Sequence, residues 1–230
     1  MTKPLARVKP ETLRAQVENH LRQAIVSGQL KAGEKLVERE LCEMMGVSRP
    51  SLREALRKLE AEKLIVTVPH RGPEVASISL DEARDLYALR RLLESYAAHE
   101  FTRLAGAGEI KSLGLAVKQL GEACRRNSRD GVLKAKAEFY NILLGGCGNL
   151  LVSEILAGLL SRVSRLRSTS LMLPDRLPKS LEEIKSLLTC IENKDAKGAQ
   201  KIATKHVLNA ELAALGVFKQ QMSSQKTQPT

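Results

Sequence analysis

Arginines stand at positions 49, 53 and 57, at a constant spacing of four residues. Side chains four residues apart share one face of an α-helix. The apolar residues between them fall on the opposite face and are Leu52, Ala55, Leu56 and Leu59. A guanidinium group can donate paired hydrogen bonds to guanine O6 and N7 or hold a phosphate oxygen. The pattern therefore indicates a helix that packs with one side and can contact nucleic acid with the other.

The residues in front of this helix are typical of a tight turn between two helices. A short helix is predicted over residues 37–45, and Gly46 ends it. Ser48 is a good N-cap for the next helix, which we expect to run to about residue 62, and Pro50 is tolerated in its first turn. Two helices joined in this way form the helix-turn-helix that places its second helix in the major groove of DNA.

A two-stranded wing is predicted after the second helix. Segments 64–68 and 74–78 are short and rich in β-branched residues, and the turn 69–73 separates them. In that turn Gly72 allows the backbone to approach closely, and Arg71 suits the narrow minor groove. The candidate DNA contacts are Arg39, Ser48, Arg49, Ser51, Arg53, Arg57, His70, Arg71 and Gly72.

The arginine face also has a simpler interpretation, as a solvated surface with Glu54 and Glu60 as local ion partners. Arginine spacing alone would favour that alternative. The turn, the cap, the apolar face and the wing occur in one register, however, and this combination favours double-stranded DNA as the partner.

The overall charge is compatible with a polyanionic partner. The 230 residues carry 37 Lys and Arg against 26 Asp and Glu, a formal net charge of +11. Residues 1–78 hold 14 of the basic and 10 of the acidic residues, so the excess is not concentrated there. The charge therefore supports nucleic-acid binding weakly, whereas the motif supports it strongly.

Other classes of protein find little support in the sequence. No window approaches the ~20 apolar residues of a membrane span, and residues 1–4 lead into no apolar run typical of a signal peptide. The 4 cysteines lack zinc-finger spacing. The histidines at 20, 70, 99 and 206 are scattered, with no nucleophile–base pair, phosphate loop or paired carboxylates. We expect a cytoplasmic protein that is not an enzyme and has no membrane partner.

The chain divides by pattern into a flexible basic arm (1–9), a winged helix-turn-helix domain (10–78), an all-helical domain (79–222) and a frayed tail (223–230). A capping box at residues 79–82 opens the helical domain. Helices are predicted at about 80–105, 109–126, 129–146, 149–169, 178–193 and 195–222. The predicted fold class is therefore mainly α, with an N-terminal winged helix-turn-helix domain.

Residues 11–78 resemble the GntR family of bacterial transcription regulators over almost their whole length. The matching residues are Ile25 to Gly28, Leu30, Gly33, Leu36, Glu38 to Leu41, Gly46 to Arg49, Leu52 to Leu56, Leu59, Gly72 and Val75. The helical remainder resembles the FadR-like branch at Leu89 to Glu94, Phe139, Gly148 to Asn149, Arg165 to Arg167, Ser170 to Leu171, Pro174, Ser180 and Glu183. The resemblance implies an antiparallel bundle of six to seven helices, an FCD domain, that dimerises and binds a small organic acid. It also implies a homodimer on a short palindromic operator.

Many members of this branch hold a divalent metal in the bundle, and the resemblance implies where. The corresponding positions in this chain are Lys136, Tyr140, Ile184 and His206. Only His206 is a usual ligand, and transition metals require three or four. We expect no metal and no cofactor.

The replacements indicate a pocket for an acid without a metal. Lys136 and Tyr140 lie one turn apart, and Arg90 lies on the apolar stripe of its helix. Charged groups on an inward face suit a carboxylate or phosphate. The candidate effector-binding residues are Arg90, Lys136, Tyr140, His206, Arg165 and Asn209. In the alternative, Lys136 pairs with Glu138 or Glu94 and the pocket is vestigial.

The sequence thus predicts a metabolite-responsive transcription regulator, a repressor, that senses a small carboxylate without a metal. The alternative is a ligand-independent DNA-binding regulator whose helical domain only dimerises. A cavity lined by polar groups would favour sensing, and a bundle filled by leucines would favour dimerisation alone.

Overall fold

The computed structural model describes residues 12–170, 173 and 175–226, with side chains at all of them except 161, 164–170 and 218–226. Its chain divides into two compact units, Met1–Ser77 and Ile78–Thr230. The basic arm expected at residues 1–9 lies outside the described part. The fold class is as predicted, because a winged helix-turn-helix precedes an all-helical unit.

The first unit contains α1 (Leu13–Ser27), α2 (Glu38–Met45), α3 (Arg49–Ala61), β1 (Ile65–Val68) and β2 (Gly72–Val75). Helix α1 begins where the Thr12 hydroxyl accepts a hydrogen bond from the Ala15 amide, and it ends at Gly28, whose φ of 80° is left-handed. Gly46, with a φ of 63°, ends α2 in the same way.

The core of the first unit joins all three helices to the wing. Its buried residues are Val17, Leu21, Ile25, Leu36, Leu41, Leu52, Ala55, Leu56, Leu59, Leu64, Ile65 and Val75. Four of them come from α3, on the face that the spacing of apolar residues predicted. Packing of that face decides which side of α3 points to solvent.

The wing differs from the prediction in its second strand. Strands β1 and β2 pair antiparallel with Val68 opposite Gly72, so Gly72 and Pro73 belong to β2 and not to the turn. The strand ends at Val75, whereas 74–78 was predicted.

The connector between α1 and α2 explains this shift. The Leu36 amide donates a hydrogen bond to the Pro73 carbonyl (2.8 Å), and the Val75 amide donates one to the Glu34 carbonyl (2.9 Å). These bonds occupy the outer edge of β2, where the sequence had indicated only a loop. Pro73 has no amide hydrogen to donate to a neighbouring strand, and proline is tolerated in strands at the edge of a sheet.

The second unit contains α4 (Leu80–Leu104), α5 (Ala107–Arg125), α6 (Arg129–Gly145), α7 (Leu150–Ser170), α8 (Arg176–Glu192) and α9 (Ala196–Lys226). The Ser79 hydroxyl accepts a hydrogen bond from the Glu82 amide (3.1 Å) and caps α4, as predicted. Helix α8 begins two residues earlier than expected. Helix α9 continues to Lys226, into the segment expected to be a frayed tail, and residues 227–230 lie outside the described part.

Helix α4 is the central helix of this unit. It contributes Ala98 and Phe101 to one apolar cluster with α5, α6 and α8, and Leu86 and Ala97 to a second cluster with α7 and α9. Polar side chains on α4 are therefore enclosed by neighbouring helices. Among the described residues, no helix is both long enough and apolar enough to cross a bilayer.

Candidate nucleic-acid interface and interior polar cluster

Helix α3 separates its charged face from its packed face completely. Leu52, Ala55 and Leu59 have no exposed surface. Arg49 and Arg57 are exposed. Each buried leucine stabilises the unit by ~2 kcal/mol relative to an exposed position, so α3 cannot rotate its arginines inward without losing this packing.

Arg53 is held in place across the turn between the two helices. Its Nε lies 2.9 Å from Glu38 Oε2, and its side chain remains 61% exposed. Glu38 is the first residue of α2, so the pair ties the start of that helix to the middle of α3. Arg53 thus belongs to the exposed face of α3 and also links α3 to α2 through its ion pair with Glu38.

The two serines at the start of α3 contact each other. Ser48 Oγ lies 3.0 Å from Ser51 Oγ and accepts a hydrogen bond from the Ser51 amide at 3.4 Å. Both hydroxyls therefore take part in the hydrogen bonds at the N-terminus of α3. Their contacts with DNA phosphates stay a prediction.

The tip of the wing is a strained turn that presents a basic side chain. His70 has a φ of 63° and Gly72 a φ of 88°. A positive φ suits glycine and strains histidine. Arg71 is 68% exposed, with its Nε 3.3 Å from Oε1 of the largely buried Glu74. Arg39 on α2 is exposed as well.

The second unit encloses a cluster of charged side chains that begins on α4. The Arg90 guanidinium, 1% exposed, donates from Nε to Glu94 Oε1 at 2.7 Å. Tyr140 on α6 donates to the other oxygen of Glu94 at 2.9 Å. Burial alone would lower the pKa of Arg90, but the Glu94 carboxylate together with Tyr140 and Tyr87 outweighs burial and raises it. Arg90 is therefore a permanent interior cation.

A second carboxylate, Glu183 on α8, gathers three donors. His206 Nδ1 lies 2.6 Å from Glu183 Oε2, Asn209 Nδ2 donates at 2.7 Å, and an Arg176 nitrogen lies 3.1 Å away. Burial would raise the pKa of Glu183, but these hydrogen bonds lower it to about 2. Burial lowers the pKa of His206 to about 4, despite the nearby carboxylate. At neutral pH, Glu183 is ionised and His206 is neutral.

Lys136 connects the two parts of the cluster. Its Nζ donates to Ser180 Oγ at 2.8 Å, and its side chain is 4% exposed. Its positive charge helps to lower the pKa of His206, whereas the carboxylates of Glu94 and Glu183 act to raise it. The structure thus brings together the predicted Arg90, Lys136, Tyr140, His206 and Asn209, whereas the side chain of Arg165 lies outside the described residues.

The sequence analysis identified Arg90 and Lys136 but missed a third cation of this cluster and part of what surrounds them. Arg176 was placed in a loop, and Glu183 and Ser180 were noted only for their family resemblance. Glu94 was noted for the same resemblance and as a possible partner for Lys136, but not as the partner of Arg90. The spacing of four residues between Arg90 and Glu94 was a usable signal, because such pairs meet on one helix face.

Among the described side chains, the cluster carries one more positive than negative charge. Its cations are Arg90, Lys136 and Arg176, and its carboxylates are Glu94 and Glu183. Arg90 Nη1 is buried and has no hydrogen-bond partner among the described residues. A buried donor without a partner is costly, so the arrangement is suited to accept an anionic oxygen.

The same residues do not fit a divalent metal. Ile184 is buried in an apolar cluster and has no ligand atom. Lys136 places an ammonium at a position where the metal would need a ligand atom, and the Tyr140 hydroxyl donates a hydrogen bond to Glu94. Within the described side chains, no group of three or more His, Cys, Asp or Glu is arranged to hold a metal.

Two family models match the chain. The model of bacterial regulatory proteins of the gntR family covers residues 13–75. The FCD domain model covers residues 85–209. The chain belongs to the GntR family of bacterial regulators and carries an FCD domain. It is a DNA-binding transcription regulator with a winged helix-turn-helix.

Curated relatives and solved structures agree with this assignment. The chain is 23% identical over 199 residues to the uncharacterized HTH-type transcriptional regulator YdhC of Bacillus subtilis, covering 86% of this chain and 89% of that one. It is 24% identical to the HTH-type transcriptional repressor RspR of Escherichia coli, with 84% of each chain covered. The fold is similar to that of E. coli McbR/YncC, with a TM-score of 0.79, 20% identity and coverage of 92% and 99%.

Proposed function

We propose that this protein is a metabolite-responsive transcription repressor that binds a palindromic operator as a homodimer. The observation that carries the DNA-reading part is the separation of α3 into a packed leucine face and an exposed face with Arg49, Arg53 and Arg57. The repressor role is supported by the similarity to RspR, which is named a repressor.

The operator proposal is tested by selecting duplexes from a randomised pool with the purified protein. A homodimer with one recognition helix per protomer is expected to select two inverted half-sites about one helical turn, ~10 base pairs, apart or a multiple of that. Selection of a single asymmetric half-site, or no enrichment at moderate salt, would contradict the proposal.

We propose further that the effector is a small carboxylic acid that enters the interior cluster without a metal. The excess positive charge and the unpartnered Nη1 of Arg90 support it. An ionised carboxylate would accept charge-assisted hydrogen bonds there, and it would shift the regulator only by its differential affinity for two conformations.

Thermal unfolding with a panel of small carboxylic acids and their neutral amides tests this proposal. Binding acids are expected to raise the melting temperature, because a ligand that binds only the folded state stabilises it. The amides and a chelator are expected to have no effect. If no acid in a broad panel shifts the transition, the alternative of a helical domain that only dimerises is favoured.

A further inference from the structure

The wing contains a largely buried carboxylate on its second strand. Glu74 in β2 is 7% exposed, whereas Val66, which lies opposite it in β1, is 44% exposed. A glutamate is rarely buried to this degree unless it is paired, because removing a charged carboxylate from water is costly. The Oε1 atom of Glu74 is buried and accepts no hydrogen bond from any described residue. The stability of the wing alone therefore gives no reason for an acid at this position.

The charge partner of Glu74 is the arginine at the tip of the wing. Arg71 Nε lies 3.3 Å from Glu74 Oε1, and the Arg71 side chain is 68% exposed. Within the described part of the chain, no other basic side chain forms an ion pair with Glu74. The contact uses the Nε side of the guanidinium, so the two terminal nitrogens of Arg71 remain available to a molecule outside the protein.

Backbone hydrogen bonds fix both residues of this pair. Glu74 lies between two neighbouring segments, with Val66 of β1 on one side and a bridge to Lys35 of the connector on the other. The Arg71 amide donates to the Val68 carbonyl at 3.1 Å and closes the turn. The carboxylate therefore has a fixed position in the sheet, and the ion pair restricts the exposed arginine relative to it.

The same geometry occurs on α3. Arg53 Nε donates to both carboxylate oxygens of Glu38, at 3.1 and 2.9 Å. In this pair, too, an acid from another segment holds an exposed arginine by Nε and leaves its terminal nitrogens available. One predicted DNA contact on the helix and one on the wing are thus oriented in the same way.

We propose that Glu74 is a positioning residue for DNA recognition, which holds the Arg71 guanidinium so that its terminal nitrogens enter a narrow minor groove in one orientation. The inference rests on the DNA reading of the proposed function and adds a residue through which the wing reads groove shape. Narrow minor grooves, typical of A·T tracts, have an enhanced negative potential that attracts arginine. A side chain that is already held in its bound orientation loses less freedom on binding.

The first test compares Glu74→Gln with the matched control Glu43→Gln. Glu43 is exposed on α2, and both substitutions remove one negative charge from the DNA-binding unit. Both variants are therefore expected to bind a random duplex at least as tightly as the wild type does. Only Glu74→Gln is expected to lose discrimination, roughly two- to tenfold, against an operator whose A·T pairs outside the half-site cores are replaced by G·C. Fluorescence anisotropy measures the affinities.

Inosine identifies the groove that is read. An inosine·cytosine pair presents the minor-groove pattern of A·T, because inosine lacks the N2 amino group of guanine, and it presents the major-groove pattern of G·C. The wild type is expected to bind the operator with inosine·cytosine pairs outside the cores nearly as tightly as the selected operator. An equal loss of affinity with inosine·cytosine and with G·C pairs would overturn reading through the minor groove.

A double-mutant cycle separates positioning from a structural role. If Glu74 acts through Arg71, the double variant Arg71→Ala/Glu74→Gln should discriminate between the operators as Arg71→Ala alone does. Circular dichroism checks that all variants fold. A further loss of discrimination in the double variant, or weaker binding of Glu74→Gln to every duplex, would make Glu74 a structural residue of the wing and overturn the inference.

The remaining outcomes distinguish this inference from the proposed function. Full discrimination by Arg71→Ala would overturn the role of the wing pair and leave DNA reading by α3 standing. Tighter binding of Glu74→Gln to the selected operator with unchanged discrimination would mean that Glu74 restrains Arg71, which also contradicts the inference alone. A wild-type protein that selects no operator would overturn the proposed function together with the inference.

Discussion

The three arginines of α3 share a face but differ in how they are held. Arg49 is the first residue of the helix, where a recognition helix contacts base edges. Arg53 is braced by Glu38. Arg57 lies two turns further along, where the helix is expected to reach the phosphate backbone. Phosphate contacts position a protein on DNA, and base contacts specify the sequence.

Arg57→Ala is expected to weaken binding to all duplexes by a similar factor. Removal of one phosphate contact should also reduce the slope of log K against log salt concentration by about 1. Fluorescence anisotropy at several salt concentrations measures both effects, and Arg126→Ala on the helical unit is the control. A loss confined to one base pair of the operator would instead make Arg57 a base-reading residue.

His206 should make the stability of the protein depend on pH. Its pKa falls from 6.5 in the unfolded chain to about 4 in the fold because it is buried. Between these values the unfolded state binds more protons, so the free energy of unfolding falls as the pH falls from 6.5 to 4, by on the order of 3 kcal/mol. Urea unfolding of the wild type and of His206→Gln at pH 7 and pH 5 measures this.

The His206→Gln variant should lose much less stability over that interval, because glutamine does not titrate. Glu183 does not contribute there, since its lowered pKa of about 2 means that its stabilisation disappears only at much lower pH. Equal losses in the two proteins would show that His206 is not a buried neutral side chain.

At the scale of elements, periodicity and caps predicted the helices well. The repeat of apolar residues in α1 and the Ser48 and Ser79 caps appear in the structure where the sequence placed them. The second wing strand was misplaced because its outer edge is occupied by a connector distant in sequence. Local residue types carry no signal for such a pairing.

In the interior cluster, too, local patterns were predicted from the sequence and contacts between distant segments were not. Helix periodicity predicted that Arg90, Lys136 and Tyr140 point inward, and all three are buried. Their partners could not be read in this way, because Ser180 reaches Lys136 from 44 residues away. Which helix faces which is decided by packing of the whole unit, and a single sequence does not contain that information in a local pattern.

The cap of α4 gives a prediction that concerns this element alone. Ser79→Ala removes the hydroxyl that accepts the Glu82 amide, and loss of such a cap costs about 0.5–2 kcal/mol of stability. Chemical denaturation measures it, with Ser112→Ala within α5 as a control. A change no larger than that of the control would mean that the first turn of α4 finds another partner.

At the scale of the whole molecule, the net charge of +11 favours binding to any duplex, and sequence recognition must exceed that background. Regulation requires in addition that the acid changes DNA affinity. Reciprocity then demands that operator DNA changes the affinity for the acid by the same factor.

Lys136→Met tests the connection between the two activities. It removes one interior cation, so the cluster becomes balanced, and the acid-induced rise in melting temperature should disappear. Operator affinity without acid should stay within about twofold of the wild type, since Lys136 lies in the helical unit. Retention of the full thermal shift would exclude Lys136 from the effector site.

The affinity of Arg49→Ala for the selected operator, and for operators changed at one base pair, tests the central claim most directly. Reading of DNA by the exposed face of α3 predicts a loss of about 1–3 kcal/mol on the selected operator and reduced discrimination at one position in each half-site. Unchanged affinity and unchanged discrimination across the set would contradict it.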